Sequence, residues 1–219
     1  MEPHRAPPGA ASPRWQRRKD ERPSEILAAA LEEFVEHGYA ATKLELVARR
    51  AGITKGTLYL YFESKEALFK AVVRETIVPL LATAERMVGD GAASPAQLLR
   101  RLVLEWWDSL SRGRLGGIPK LVVSEASNFP ELARFWFDEV VLRGREIFAG
   151  VLRRGIESGA FRRVDIEHAV RMILAPVLMA AIWKHSFQPY EREGFPVEAY
   201  LQTSVDIILR GLAADGRDG

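Results

Sequence analysis

GITKGTLYLYFESKEALF, residues Gly52 to Phe69, places two helix starts within one short span. Thr54 and Ser64 each stand just ahead of a helix-competent run, where a hydroxyl accepts from a free backbone amide of the first turn. The run between them, Lys55 to Tyr61, is two turns long and carries a lysine, a glycine, a threonine and two tyrosines where a core helix would hold leucine and alanine. So short and polar a helix is not stable alone. It needs bracing, with Leu58 and Phe62 turned inward against Phe34 and Val47, which leaves Lys55, Gly56, Thr57, Tyr59 and Tyr61 on an outer face. Gly56 costs about 1 kcal/mol against alanine in a helix interior, and its missing side chain lets another surface come close. Two readings of this face compete: a surface meant for a partner, and the solvated side of an ordinary helical hairpin.

Upstream, Ile26, Leu27, Ala30, Leu31 and Phe34 recur at the spacing of one helix face, with Pro23 in the first turn and Gly38 as the stop. Thr42 followed by Glu45 predicts a capping box at the start of a second helix, whose stripe is Leu44, Val47 and Ala48 and whose end is Gly52. A helix, the corner AGIT and a short helix make the pattern of a helix-turn-helix, with Ile53 and Leu58 in the angle.

The segment ILAAALEEFVEHGYAATKLELVARRAGITKGTLYLYFESKEALFKAV, Ile26 to Val72, resembles the N-terminal DNA-binding domain of the TetR family of transcriptional regulators. The likeness is carried by FVEHGY at a helix end, by AGITKGTLYLYF at the core and by SKEAL at the next helix start. Val47 stands where the family commonly has isoleucine, a change of similar volume. The resemblance implies a ligand-responsive regulator, a repressor released from a palindromic DNA operator by a small apolar or aromatic effector. Carried over by position, it puts Lys55, Gly56 and Thr57 at base edges and Tyr59, Tyr61 and Lys65 on phosphates. Thr42 and Lys43 anchor the second helix, and Thr54 is counted with them as the cap. The chemistry suits those roles: lysine donates to guanine O6 and N7, a threonine methyl meets a thymine methyl, and tyrosine hydroxyls reach phosphates. Tyr61 is read either as exposed or as packed with only its hydroxyl free. A cation at Lys65 opposes the helix dipole, which makes better sense beside an anion. One reading head spans few base pairs, so a homodimer with half-sites about 34–36 Å apart is implied.

Downstream, the spacing predicts a long helix from Ser64 to about Val88 interrupted at Pro79, then helices from Ser94, Pro119, Pro130, Asp165 and Pro196. The fold class is all-α with about nine helices. The expected organisation is a disordered basic arm (1–21), a three-helix helix-turn-helix domain (22–70) and a larger helical effector-binding and dimerisation domain (71–215). In the family the last two long helices pair with their symmetry mates. Ile173, Val177, Ala180, Tyr200, Val205, Ile208 and Leu212 are candidates for that face or for intramolecular core. Trp106, Trp107, Phe135, Trp136, Met172, Met179 and Trp183 would suit an apolar ligand pocket, or ordinary core packing. Glu125 is either a ligand anchor or a solvated carboxylate. The rival class is an all-α small-molecule-binding protein or enzyme, although no nucleophile, base and orienting residue stand together.

Composition sets outer bounds. The chain has 219 residues, no cysteine and four scattered histidines, so no metal site and no cofactor are expected. Its formal charge of +2 lies wholly in the N-terminal third, where Met1 to Glu75 hold 13 Lys/Arg against 11 Asp/Glu. RWQRRK, Arg14 to Lys19, reads as a solvated tail or as an arm on phosphate or minor groove. The longest apolar stretch, Met172 to Trp183, falls short of the ~20 residues that cross a bilayer, and no signal-peptide core stands at the N-terminus. A cytoplasmic protein without a membrane partner is expected.

Overall fold

The computed structural model describes residues 14–214, with side chains from Arg22 onward. Its helices are α1 (Arg14–Ala41), α2 (Leu44–Arg50), α3 (Lys55–Tyr59), α4 (Lys65–Thr76), α5 (Val78–Gly89), α6 (Pro95–Ser111), α7 (Gly117–Glu125), α8 (Pro130–Trp136), α9 (Leu142–Glu157), α10 (Ile166–Lys184) and α11 (Val197–Leu212). A π turn, Phe137–Val141, joins α8 to α9 without a break. Helices α4 and α5 follow each other through Ile77, with Pro79 in the first turn of α5. With each of those pairs taken as one rod, the described residues form nine rods and no strand, the all-α fold expected. A lone bridge between Phe161 and Ala213 ties the α9–α10 connection to the end of α11.

Helix α1 begins inside the segment expected to be an arm. Its backbone takes in residues 14–21, a run of arginine, glutamine, lysine and glutamate that favours helix. The rest of the expected arm, residues 1–13, lies outside the described residues.

The N-terminal unit closes around Ile26, Ala30, Phe34, Val47, Leu58, Leu68 and Phe69, all nearly inaccessible to solvent. Phe34 stacks on Tyr39 and meets Phe69 edge to face, with centroids 5.7 and 5.4 Å apart. In the larger unit α10 packs on α6, α7, α9 and α11, and α9 on α5 and α6. Helix α10, at 19 residues, is long and apolar enough to span a bilayer by length and composition. Its Val170, Ile173, Val177, Ala180 and Ala181 are buried against the neighbouring helices. The two units meet where α7 lies on α1. Gly117 lets them approach so closely that a β-carbon there would overlap Val35.

Candidate nucleic-acid interface and effector region

The short helix α3 is set by its two ends. At its start the Thr54 hydroxyl accepts from the Thr57 amide at 3.1 Å and shares a proton with the Thr57 hydroxyl at 2.9 Å. At its end Phe62 N–H donates to the Leu58 carbonyl at 3.0 Å, and the Ser64 hydroxyl caps α4 by accepting from Ala67 N–H at 3.0 Å. Gly52, with φ of +66°, makes the corner between α2 and α3. Leu58 is wholly buried, whereas Lys55 and Gly56 are exposed and Tyr59 keeps 45% of its surface. Thr57 and Tyr61 are half-buried, and Tyr61 packs on the core. Leu60, 83% exposed, shares this face with Gly56 one helical turn away, and the sequence reading missed it. Position 60 is where an alternating inward pattern fails to settle the direction of a lone leucine.

Charge on this face is held in reserve. Lys55 forms an ion pair with Glu45 of α2 and lies 5.7 Å from the Tyr59 ring centre. The hydrogen bond to Glu45 raises the Lys55 pKa, and the same bond lowers that of Glu45. Both side chains are about half exposed, so the pair is worth little in water and a phosphate or base edge can replace it.

Two of the expected contact residues turn inward. Thr42 is 1% exposed, and its hydroxyl donates to the Gly38 and Glu33 carbonyls at 2.7 and 3.1 Å. The expected capping box with Glu45 is therefore absent: Lys43 is the N-cap residue of α2, with no side-chain cap, and Glu45 holds Lys55. The exposed Lys43 stays on the surface. Lys65 does not reach outward either. Its ammonium donates to the carbonyls of Tyr39, Ala40 and Thr42 at 2.7, 3.1 and 3.1 Å, and it lies 4.7 Å from the Tyr39 ring centre. In place of an anion this lysine finds a set of carbonyls left free where Gly38, with non-helical φ and ψ, breaks α1. Burial pushes the Lys65 pKa below its ordinary value, and the Glu125 carboxylate opposes that shift. Burial also raises the Tyr39 phenol to about 12, helped by Glu66, Glu131 and Glu125.

The second corner is tied by Arg50, at the end of α2. Its guanidinium reaches three α1 carboxylates, Glu32 and Glu33 at 2.7 Å each and Glu36 at 3.1 Å. Glu33 is 4% exposed, and its other oxygen is 3.2 Å from His37 Nδ1.

The residues expected to line one effector pocket do not come together. Met172 and Met179, 66% and 48% exposed, lie on the outside of α10. Trp107 is buried, with Lys184 Nζ 5.5 Å from its ring centre, while Trp183 sits against Phe187 and Phe195. Trp136 is partly buried against the core. Phe135 belongs to a separate open cleft of about 360 Å³, bordered by Lys70, Arg134 and Glu139. Trp106 borders a cavity of about 50 Å³ between α5 and α6, with Leu80, Ala84, Met87 and Leu102. The Glu125 carboxylate points to the N-terminal unit, where it accepts from the Ala40 amide at 3.0 Å. Large aromatic residues on separate helices share a pocket only if the helix faces converge, and here those faces diverge.

A braced short helix with a polar outer face, joined to a larger helical unit, defines a helix-turn-helix regulator of transcription. The sequence model for bacterial regulatory proteins of the tetR family matches residues 26–72, and that for the tetracyclin repressor-like C-terminal domain matches residues 93–192. The chain belongs to the TetR family and is a ligand-responsive, DNA-binding transcriptional repressor. It is 29% identical over 199 residues to the HTH-type transcriptional repressor KstR2 of Rhodococcus jostii, covering 90% of this chain and 93% of that one. It is 30% identical over 158 residues to the HTH-type transcriptional regulator RutR of Escherichia coli, covering 68% and 69% of the two chains. Among solved structures, a SmeT–triclosan complex superposes with a TM-score of 0.75 at 26% identity, covering 89% of this chain and 93% of that one.

Proposed function

We propose that the chain binds a palindromic operator as a homodimer, with the α3 face in the major groove, and releases it when a small apolar or aromatic effector parts the helices around Trp106. The observation that carries this reading is the division of α3: Leu58 is fully buried while Lys55, Gly56 and Tyr59 face solvent. Lys55 donates to guanine edges once it leaves Glu45, Thr57 offers a methyl, and Tyr59 donates its hydroxyl to a phosphate. Lys43 joins them at the start of α2. Thr42 and Lys65 take no direct part. They hold the corner on which α2 stands.

The effector class is supported by the cavity beside Trp106 and by the structural neighbour SmeT, solved as a complex with triclosan, a chlorinated aromatic compound. A void of about 50 Å³ holds little more than water, so the effector has to open it. Binding then shifts the operator equilibrium only as far as the two conformations differ in effector affinity. The role is regulatory rather than enzymatic, as in the named relatives, and is carried out in the compartment that holds the DNA.

The test uses duplexes enriched from a random-sequence pool by the wild-type protein. Lys55→Ala and Tyr59→Ala are each expected to weaken binding by about tenfold or more, in line with one lost base or phosphate contact. Light scattering and thermal melting should show the dimer intact. Wild-type affinity retained by both variants refutes the assignment of α3.

A further inference from the structure

Two charges that meet at one corner of this fold stand where helix electrostatics disfavour them. Lys65 opens α4, placing a cation at the positive end of the helix dipole, and Glu125 closes α7, placing a carboxylate at the negative end. Such violations of local rules usually have a compensating purpose. Both side chains converge on the same backbone corner, residues 38–42, between α1 and α2. Lys65 collects the carbonyls of Tyr39, Ala40 and Thr42, and Glu125 takes the amide of Ala40. Gly38 has φ of +83°, and Glu125 Oε1 would lie 3.4 Å from any β-carbon there. Beside this corner the Phe129 ring, just past α7, meets Tyr39 edge to face at 4.7 Å.

The bond from Ala40 to Glu125 is, among the described residues, the only hydrogen bond that joins residues 26–72 to residues 93–192. It ends on backbone rather than on a mobile side chain, so a shift of α7 is felt directly by the chain entering α2. Helix α7 in turn packs on α10 and α8 inside the larger unit. We infer that Glu125 is a positioning residue for the reading head: its carboxylate fixes the α1–α2 corner, and through it the angle of α2 and α3, to the state of α7. The inference rests on the DNA-reading role of α3 given above and adds a residue through which the larger unit acts on it.

The test compares the intact wild-type protein with Glu125→Ala and Glu125→Gln, using the same enriched duplexes and amide hydrogen exchange of the free proteins. The glutamine carbonyl can accept the Ala40 N–H, whereas alanine cannot. Glu125→Ala is expected to weaken duplex binding by about tenfold, the size of one lost hydrogen bond to a charged group. It should also speed exchange from Ala40 through Lys55 while leaving α10 and α11 as slow as in the wild type. Glu125→Gln should restore both readouts most of the way. The inference is overturned if Glu125→Ala binds and exchanges like the wild type, or if Glu125→Gln falls as far as Glu125→Ala. A wild-type protein that enriches no duplex would sink the DNA-reading role instead, and the exchange comparison would then decide the positioning claim by itself.

Discussion

Lys65 and Lys55 lie ten positions apart in one motif and do opposite work. Lys65 spends its three donors on three carbonyls of its own chain, in a partly buried setting beside the Tyr39 ring. Lys55 keeps one exposed partner, Glu45, and can leave it at little cost. Sequence alone cannot separate the two, because the acceptors of Lys65 are backbone groups that converge only once Gly38 has broken α1. Lys65→Met keeps the aliphatic stem but leaves those carbonyls without their donor. Unsatisfied groups of this kind cost about 1–3 kcal/mol each when buried, and water reaches this corner in part, so a total loss of about 2–3 kcal/mol is expected. Urea denaturation should show a lower midpoint with an unchanged slope. An unaltered midpoint would mean that water replaces the ammonium without penalty.

The helices whose ends depend on neighbouring residues were legible in the sequence. Thr54, Ser64, Ser94 and Asp165 each cap the helix they were expected to start, and Ser94 with Gln97 closes a full capping box. Thr42 misled because a hydroxyl in a buried corner finds tertiary carbonyls that compete with the local amide. Helix α10 misled for another reason: it is apolar nearly all round, so its periodicity could not tell the inward face, Ile173, Val177 and Ala180, from the outward one. Those three, with Val205 and Leu212, proved to be intramolecular core, while Tyr200 and Ile208 are half-buried. The seating of α7 on α1 was also hidden, since it depends on a glycine that no turn requires. A β-carbon at Gly117 would overlap the Val35 side chain, which is β-branched and has few rotamers to retreat into. Gly117→Ala is therefore expected to cost about 1–3 kcal/mol by overpacking, despite the better helix propensity of alanine. Thermal melting measures the sum. A more stable variant would show that α7 can lift from α1 freely, which would weaken its use as a rigid link to the reading head.

At the scale of the whole molecule, one chain presents one reading head, and in the proposed homodimer a second would stand beside it across the outer face of α10 and α11. Met172, Leu178 and Met179 on α10 and Ile207 on α11 are all more than 40% exposed, although the two helices pack side by side. Scattered apolar residues on a surface mean little, but four large ones on adjoining helices suit the association face of the proposed homodimer. The small exposed residues Ala175, Thr203 and Gly211 between them allow close approach of a partner helix. A second copy turned by a two-fold axis would cover this stripe with the same stripe, and a palindrome demands that the same axis set both α3 helices toward one side. Met179→Asp combined with Ile207→Asp puts unpaired carboxylates at the centre of that contact, where each costs several kcal/mol on burial and almost nothing in the monomer. Sedimentation should then show a monomer that melts near the wild-type single-chain limit. Its operator affinity should fall by about a hundredfold or more, because the second half-site no longer binds at the high effective concentration that linkage supplies. A dimer that survives both charges would place the association face elsewhere on the molecule. The relative orientation of the two reading heads would then have to follow from that other face.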